Sequence, residues 1–198
     1  MRVIPAGGIF NKSRIAVLPF LFAIYCLGST SVRAVVLEEV VVTAQKFTQN
    51  VQDVPIAISV FTAETLQTKG LTSLSNLTAL TPNVNLEGGA PFSGDSSVLS
   101  ASIRGIGQDD FAINLDPGVG VYLDGVYLAR TIGANQNLFG VDRIEVLKGP
   151  QGTLFGRNTI GGAISIVTHT PGNEFKVTGQ ATLGSYIRQD VQVMLDLP

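Results

Sequence analysis

The sequence has no tryptophan, one histidine, one cysteine and only 14% charged residues among 198 positions. The single cysteine, Cys26, rules out an internal disulfide framework. His169 stands alone, and the chain lacks the set of three or four ligands that a zinc site takes. Neither G-x-S-x-G nor S-x-x-K occurs, which removes two serine-nucleophile signatures. The glycine-rich "KGPQGTLFGRNTIGGA" lacks the G-K-[ST] ending of a phosphate loop, and "GVGVYLDG" misses the G-x-G-x-x-G spacing. These absences argue against an enzyme, and no catalytic residue, metal or cofactor is expected. The glycines read instead as tight turns, where the missing Cβ permits positive φ.

Also missing is the apolar run of about 20 residues that a helix needs to cross a bilayer. The longest candidate, "IAVLPFLFAIYCLG", is shorter and is interrupted by Pro19. A basic start (Arg2, Lys12, Arg14), this apolar middle and "SVRA" ending at Ala34 make residues 1–34 an export signal. That segment holds four of the 13 basic residues and none of the 15 acids, so nine against 15 leave a net charge of −6. Such a balance speaks against nucleic acid as a partner, because phosphate binding needs concentrated Lys and Arg.

What is present begins with "LEEVVVTAQK", an acidic start followed by three consecutive valines. Unpaired, strand-prone ribbons of this kind invite pairing by other chains. "FTQNVQDVP" is a polar connector closed by Pro55, and "IAISVF" alternates as a strand. "TAETLQTKG" has Thr62 as N-cap and Gly70 as stop, which predicts a short helix. Leucines at 74, 77 and 80 ahead of Pro82 predict a second short helix. "VGVYLDGVYL" places Asp124-Gly125 between two apolar runs, a tight-hairpin signal. "RIEVLKGP" and "GGAISIVT" are two further strands, so the centre of the chain reads as a compact α+β domain of short strands and short helices. From Phe175 the pattern changes. Phe175, Val177, Gly179, Ala181 and Leu183 alternate with polar or small residues, and Val191, Val193, Leu195 and Leu197 do so again. Two such segments fit transmembrane barrel strands and fit a soluble hairpin almost as well.

Taken in order, "EEVVVTAQK", "DVPIAISVFTAETL", "IRGIG", "VGVYLDGVYLAR" and "VDRIEVLKGPQGTLFGRNTIGGAISIVT" resemble the TonB-dependent outer-membrane receptors. The resemblance implies a TonB box and connector at 35–54, a plug domain at 55–171 and the first strands of an antiparallel transmembrane β-barrel at 172–198. It implies that the plug is a small mixed sheet with short helices lodged in a 22-stranded barrel, and active uptake of a scarce nutrient, commonly a ferric siderophore, sometimes cobalamin or a glycan. The energy-coupling protein TonB would grip Glu39, Val40, Val41, Val42, Thr43 and Ala44 by strand addition, where main-chain bonds supply the affinity. The competing reading of the ribbon is a strand that pairs with the domain's own sheet.

The resemblance further implies that Arg104, Arg143 and Glu145, read as charges within strands, lock the plug to the barrel wall. The competing reading is that they are charges on the polar side of a strand. Phe92, Gln108, Asp109, Asp110, Phe111 and Asn135 fall in loops where a plug would face its ligand. Asp109 and Asp110 do not suggest calcium, which takes six or more oxygens from a defined loop. The chain stops at Pro198 after two barrel-type segments, where the family continues, so it is expected to be an N-terminal part of such a receptor. A rival reading is a free-standing periplasmic module that binds the coupling protein without transporting. A secreted adhesin or structural β-protein is a third, and has to treat the ribbon's sequence as coincidence.

Overall fold

Two dipeptides set the tightest turns. Asp124-Gly125 and Arg104-Gly105 both have positive φ at each residue, the signature of type I′ hairpins. The computed structural model describes residues 40–43, 49–89, 93–110, 112 and 114–198. The expected export signal lies outside them.

The described strands are β1 (Val41–Val42), β2 (Gln49–Asn50), β3 (Ala57–Thr62), β4 (Val84–Gly88), β5 (Leu99–Ile103), β6 (Ile106–Gln108), β7 (Val119–Leu123), β8 (Val126–Leu128), β9 (Val141–Lys148), β10 (Gly162–Thr168), β11 (Lys176–Gly184) and β12 (Arg188–Asp196). Helices α1 (Ala63–Thr68) and α2 (Gly152–Phe155) are short. The central sheet has the order β3-β9-β10-β7-β8. β10 and β7 run parallel and the other pairs are antiparallel, so the sheet is mixed as expected. β4, β5 and β6 form a second, antiparallel sheet.

Register assigns the two faces of the central sheet. Phe61, Ile144 and Ile166 are cross-strand neighbours, as are Val146, Ile164 and Val121. These line one face and join Leu66, Leu74, Leu77, Leu86, Leu99 and Ile103 in the main core. The opposite face carries Ile58, Leu147, Ala163 and Gly120 in one row and Val60, Glu145, Ser165 and Tyr122 in the next. It is covered by Val40, Val42, Val51, Val54 and Phe155, a smaller apolar cluster. Full burial of such a side chain contributes about 1.5–3 kcal/mol.

α1 starts where expected: Thr62 Oγ1 accepts the backbone N–H of Thr65, 3.4 Å away. The second predicted helix is instead a 3₁₀ helix over Leu74–Leu80. Leucines three apart stack on one side of a helix with three residues per turn, and Leu74 and Leu77 are both fully buried. The polar connector is also more structured than expected. Gln49–Asn50 pairs with the ribbon, and Val51–Asp53 is a 3₁₀ turn.

Candidate functional site: a docked ribbon, a polar gap and an apolar wall

The described part of the ribbon is docked. Val41 pairs with Asn50 and Val42 with Gln49, and Val51 N–H donates to the Val40 carbonyl at 3.0 Å. Val42 is 0% exposed, whereas Val41 is 38% exposed. Beyond β1 the chain meets Glu145. Glu145 Oε1 accepts Thr43 N–H at 2.8 Å, the Thr43 hydroxyl at 3.1 Å and Arg143 Nε at 2.9 Å. Arg143 Nη2 also reaches Thr43 Oγ1 at 3.3 Å, and Nη1 pairs with Asp142 at 3.0 Å. Glu145 is fully buried. A carboxylate there is tolerable because it is both paired and hydrogen-bonded. Glu39 and Ala44, the outer residues of the expected TonB box, lie outside the described residues.

Arg143 and Glu145 are therefore brought together, with the ribbon as their shared partner. Arg104 is apart from them. It is not in a strand but at the first position of the β5–β6 turn, with φ +54°, and its guanidinium lies against Gly149 just past the far end of β9. A turn with two positive-φ residues rewards the Gly105 that follows, and the arginine before it takes the strain.

The loop residues divide. Gln108 ends β6 opposite Ala101. Asp109 accepts a hydrogen bond from the buried Ser100 hydroxyl, and Asp110 accepts Ala112 N–H at 2.9 Å. Asn135 is a tie between segments: its Oδ1 accepts Ser75 N–H at 3.1 Å and its Nδ2 donates to the Ser96 carbonyl at 2.8 Å. Phe92 and Phe111 lie outside the described residues. Asp95, in the same region, has its carboxyl held below the usual value by the backbone N–H of Ser97 and then by the Ser97 hydroxyl.

The C-terminal hairpin has two unlike faces. Val177 faces Leu195 and Ala181 faces Val191 across β11–β12. Leu183 and Val191 on this side are 82% and 77% exposed. The opposite face carries Thr178, Gln180, Thr182, Asp190, Gln192 and Met194, which line a cavity of about 550 Å³ together with α1 and residues 137–142. His169 Nε2, 3.2 Å from Asp196 Oδ2, ties the end of the central sheet to the end of β12. Sequence reading singled out neither this contact nor the Thr43–Glu145 bond. A signal for the latter existed: within "RIEVL", Glu145 shares a face with Arg143 and Leu147, so an ion pair runs into an apolar surface.

Residues 50–163 match the family model described as "TonB-dependent Receptor Plug Domain". The pesticin receptor of Yersinia pestis is 36% identical over 117 residues, which is 59% of this chain and 16% of that receptor. The catecholate siderophore receptor Fiu of Escherichia coli strain K12 is 28% identical over 141 residues, 71% of this chain and 17% of the receptor. Among solved structures, the ferric yersiniabactin uptake receptor FyuA from Yersinia pestis aligns with a TM-score of 0.62 at 30% identity, covering 72% of this chain and 22% of that one. The chain thus spans about a fifth of the length of these relatives. With the mixed sheet, the order of its motifs and this match in agreement, the chain belongs to the TonB-dependent receptor plug domain family.

Proposed function

We propose that this chain is the plug portion of an outer-membrane receptor that takes up a scarce nutrient, with a ferric siderophore as the ligand class, using energy delivered by TonB through residues 39–44. The observation that carries this reading is the arrangement of three parts along one chain. A strand-prone ribbon leads, a plug-family fold follows over 50–163, and a hairpin with one apolar and one polar face comes last. The Fiu receptor and FyuA support the ligand class, since one is named a catecholate siderophore receptor and the other a ferric yersiniabactin uptake receptor.

Each part has a physical task. The outer face of β11–β12 suits hydrocarbon, and the inner face suits a hydrated gap between plug and wall. The plug fills the lumen with a sheet stiffened on both faces. The ribbon supplies backbone groups for strand addition. Alternate residues of a strand point their N–H and C=O groups to opposite sides. The Val40 carbonyl accepts Val51 N–H just past β2, so Val41 and Thr43 present their groups to the side away from β2. In this reading residues 35–54 are coupling segment and connector, 55–171 the plug, and 172–198 the first wall strands. Arg104 is the charge left to meet the wall, because Arg143 and Glu145 already hold each other. No catalytic step is required.

The rival, a free-standing periplasmic module, has to expose Leu183, Val191, Val193 and Leu195 to water, a patch soluble monomers rarely carry. The test is capture of the full chain by the periplasmic domain of TonB, comparing wild type with Val41→Pro. Proline removes a donor from the outward edge of the ribbon and resists central pairing. Loss of capture in the variant supports the reading; equal capture of both chains counts against strand addition.

A further inference from the structure

We propose that His169 and Asp196 form a pH-dependent clasp, which seats the end of β12 on the end of the central sheet in mild acid and loosens as pH rises. The clasp stands on contacts within this chain and does not depend on the uptake reading. Where residues 172–198 are wall strands, it sets how firmly the plug is joined to the wall.

The seat has two contacts on the inner side of β12. Met194 lies over Gly140, where an added Cβ would stand 3.3 Å from its sulfur. Two positions on, and so on the same face of the strand, Asp196 Oδ2 meets His169 Nε2 at 3.2 Å. Gly140 and His169 are themselves joined, the His169 N–H donating to the Gly140 carbonyl at 2.8 Å. The strand end therefore rests on a bonded pair of residues. Gly140, His169 and Met194 also line the cavity of about 550 Å³ between the hairpin and α1. Loosening the clasp opens that cavity.

The choice of residues makes the seat sensitive to pH. The buried partner is the acid: the Asp196 side chain is 5% exposed and that of His169 35%. A carboxylate taken out of water needs a counter-charge as well as a hydrogen bond. The two acids that line the cavity each have an arginine, a side chain that stays charged. Asp190 is held by Arg188 at 2.6 Å and Asp142 by Arg143 at 3.0 Å. Asp196 pairs instead with a histidine, the side chain whose charge changes between about pH 5 and 8. Lys176, opposite Asp196 in the ladder, is exposed and is the remaining charged side chain lining the cavity among the described residues. With an imidazolium the contact is a charge-assisted bond. With a neutral ring it is a plain hydrogen bond to a buried carboxylate that has lost its counter-charge. The seat is thus firmest in mild acid and weakens as the ring loses its proton.

The distance between two spin labels reads the seat. The full chain, held in a mild detergent, carries Cys26→Ser with Thr68→Cys on α1 and Gln189→Cys on β12, both exposed and outside the cavity lining. Pulsed EPR is run at about pH 5.5 and about pH 8, which bracket the range in which histidine changes charge. At the higher pH a longer-distance population is expected to grow about five-fold relative to the seated one, the scale of exchanging a charged hydrogen bond for a neutral one. His169→Gln removes the titrating ring and Asp196→Asn removes the charge it faces, so each is expected to abolish the rise. A ratio that stays the same at both pH values in the labelled chain with His169 and Asp196 intact overturns the clasp. A rise that persists in either variant also overturns it, and moves the sensitivity to another group. The intact pair alone can sink the proposal, so the test does not hang on the folding of a variant.

Discussion

The Tyr122 hydroxyl donates to the Phe155 carbonyl at 2.6 Å while the two rings meet edge to face with centroids 5.0 Å apart. One side chain of β7 thereby fixes the short helix α2 through both a hydrogen bond and a ring contact. Tyr127 adds a second ring, with its centroid 5.3 Å from that of Tyr122.

Tyr122→Phe should keep the ring contact and lose the bond, destabilising the chain by about 1 kcal/mol in denaturant titrations. Burial raises the Tyr122 phenol above its ordinary value, with Tyr127 adding to the effect. A raised folded pKa means the stability is fully present below the unfolded value of about 10 and is lost as pH rises through the folded one. Wild type should therefore weaken above about pH 10 by a component that the Phe variant does not show.

Gly162→Ala should be costly. Its φ is +154°, and an added Cβ would strike the Leu147 carbonyl oxygen and come within 2.8 Å of Ile103 Cδ1. Backbone strain and overpacking together predict a loss of about 1–3 kcal/mol or more. Gly172→Ala, where no atom lies within 4 Å, should be close to neutral in the same thermal melts.

Asp124 occupies a positive-φ turn position and its two oxygens accept Thr168 N–H and the Thr168 hydroxyl, each at 2.8 Å. Asp124→Ala loses both bonds and the tolerance for this conformation, predicting about 1–3 kcal/mol. Asp124→Asn keeps the turn preference and one good acceptor, so its loss should be less than half as large. Chemical denaturation of the two variants side by side measures the difference.

The two faces of the terminal hairpin predict an asymmetry. In a receptor whose barrel includes β11 and β12, Val193→Lys places a charge on the apolar side and should cost about 2–4 kcal/mol near mid-bilayer. Gln180→Lys, facing the cavity, should be tolerated. Urea unfolding of the assembled receptor in lipid checks both, and equal effects would contradict the assignment of faces.

What the sequence made legible was local. Asp124-Gly125 announced its own turn because two adjacent residues decide it, and Thr62 announced the start of α1 for the same reason. The alternation in β11 and β12 matched the faces found, since a strand's period of two needs no outside information. Arg104 was misplaced into a strand because a positive-φ arginine is set by the ladder on either side of it. The leucine spacing of three was legible, but its choice of a 3₁₀ helix over an α-helix was made by the core that receives Leu74 and Leu77. Asn135 looked like a loop residue free to meet a ligand, and its partners Ser75 and Ser96 lie 60 and 39 positions away. The ribbon's docking was the least visible feature, because Thr43 and Glu145 are 102 positions apart.

The position of β3 carries a mechanical consequence. Residues 51–56 lead from the ribbon straight into β3, which lies at the outer margin of the central sheet and is laddered to β9 alone. Strands β9, β10 and β7 each have neighbours on both sides. A load drawn along the leading segment therefore peels away a strand held by a single ladder, while four strands stay joined behind it. The molecule can yield at its front without coming apart.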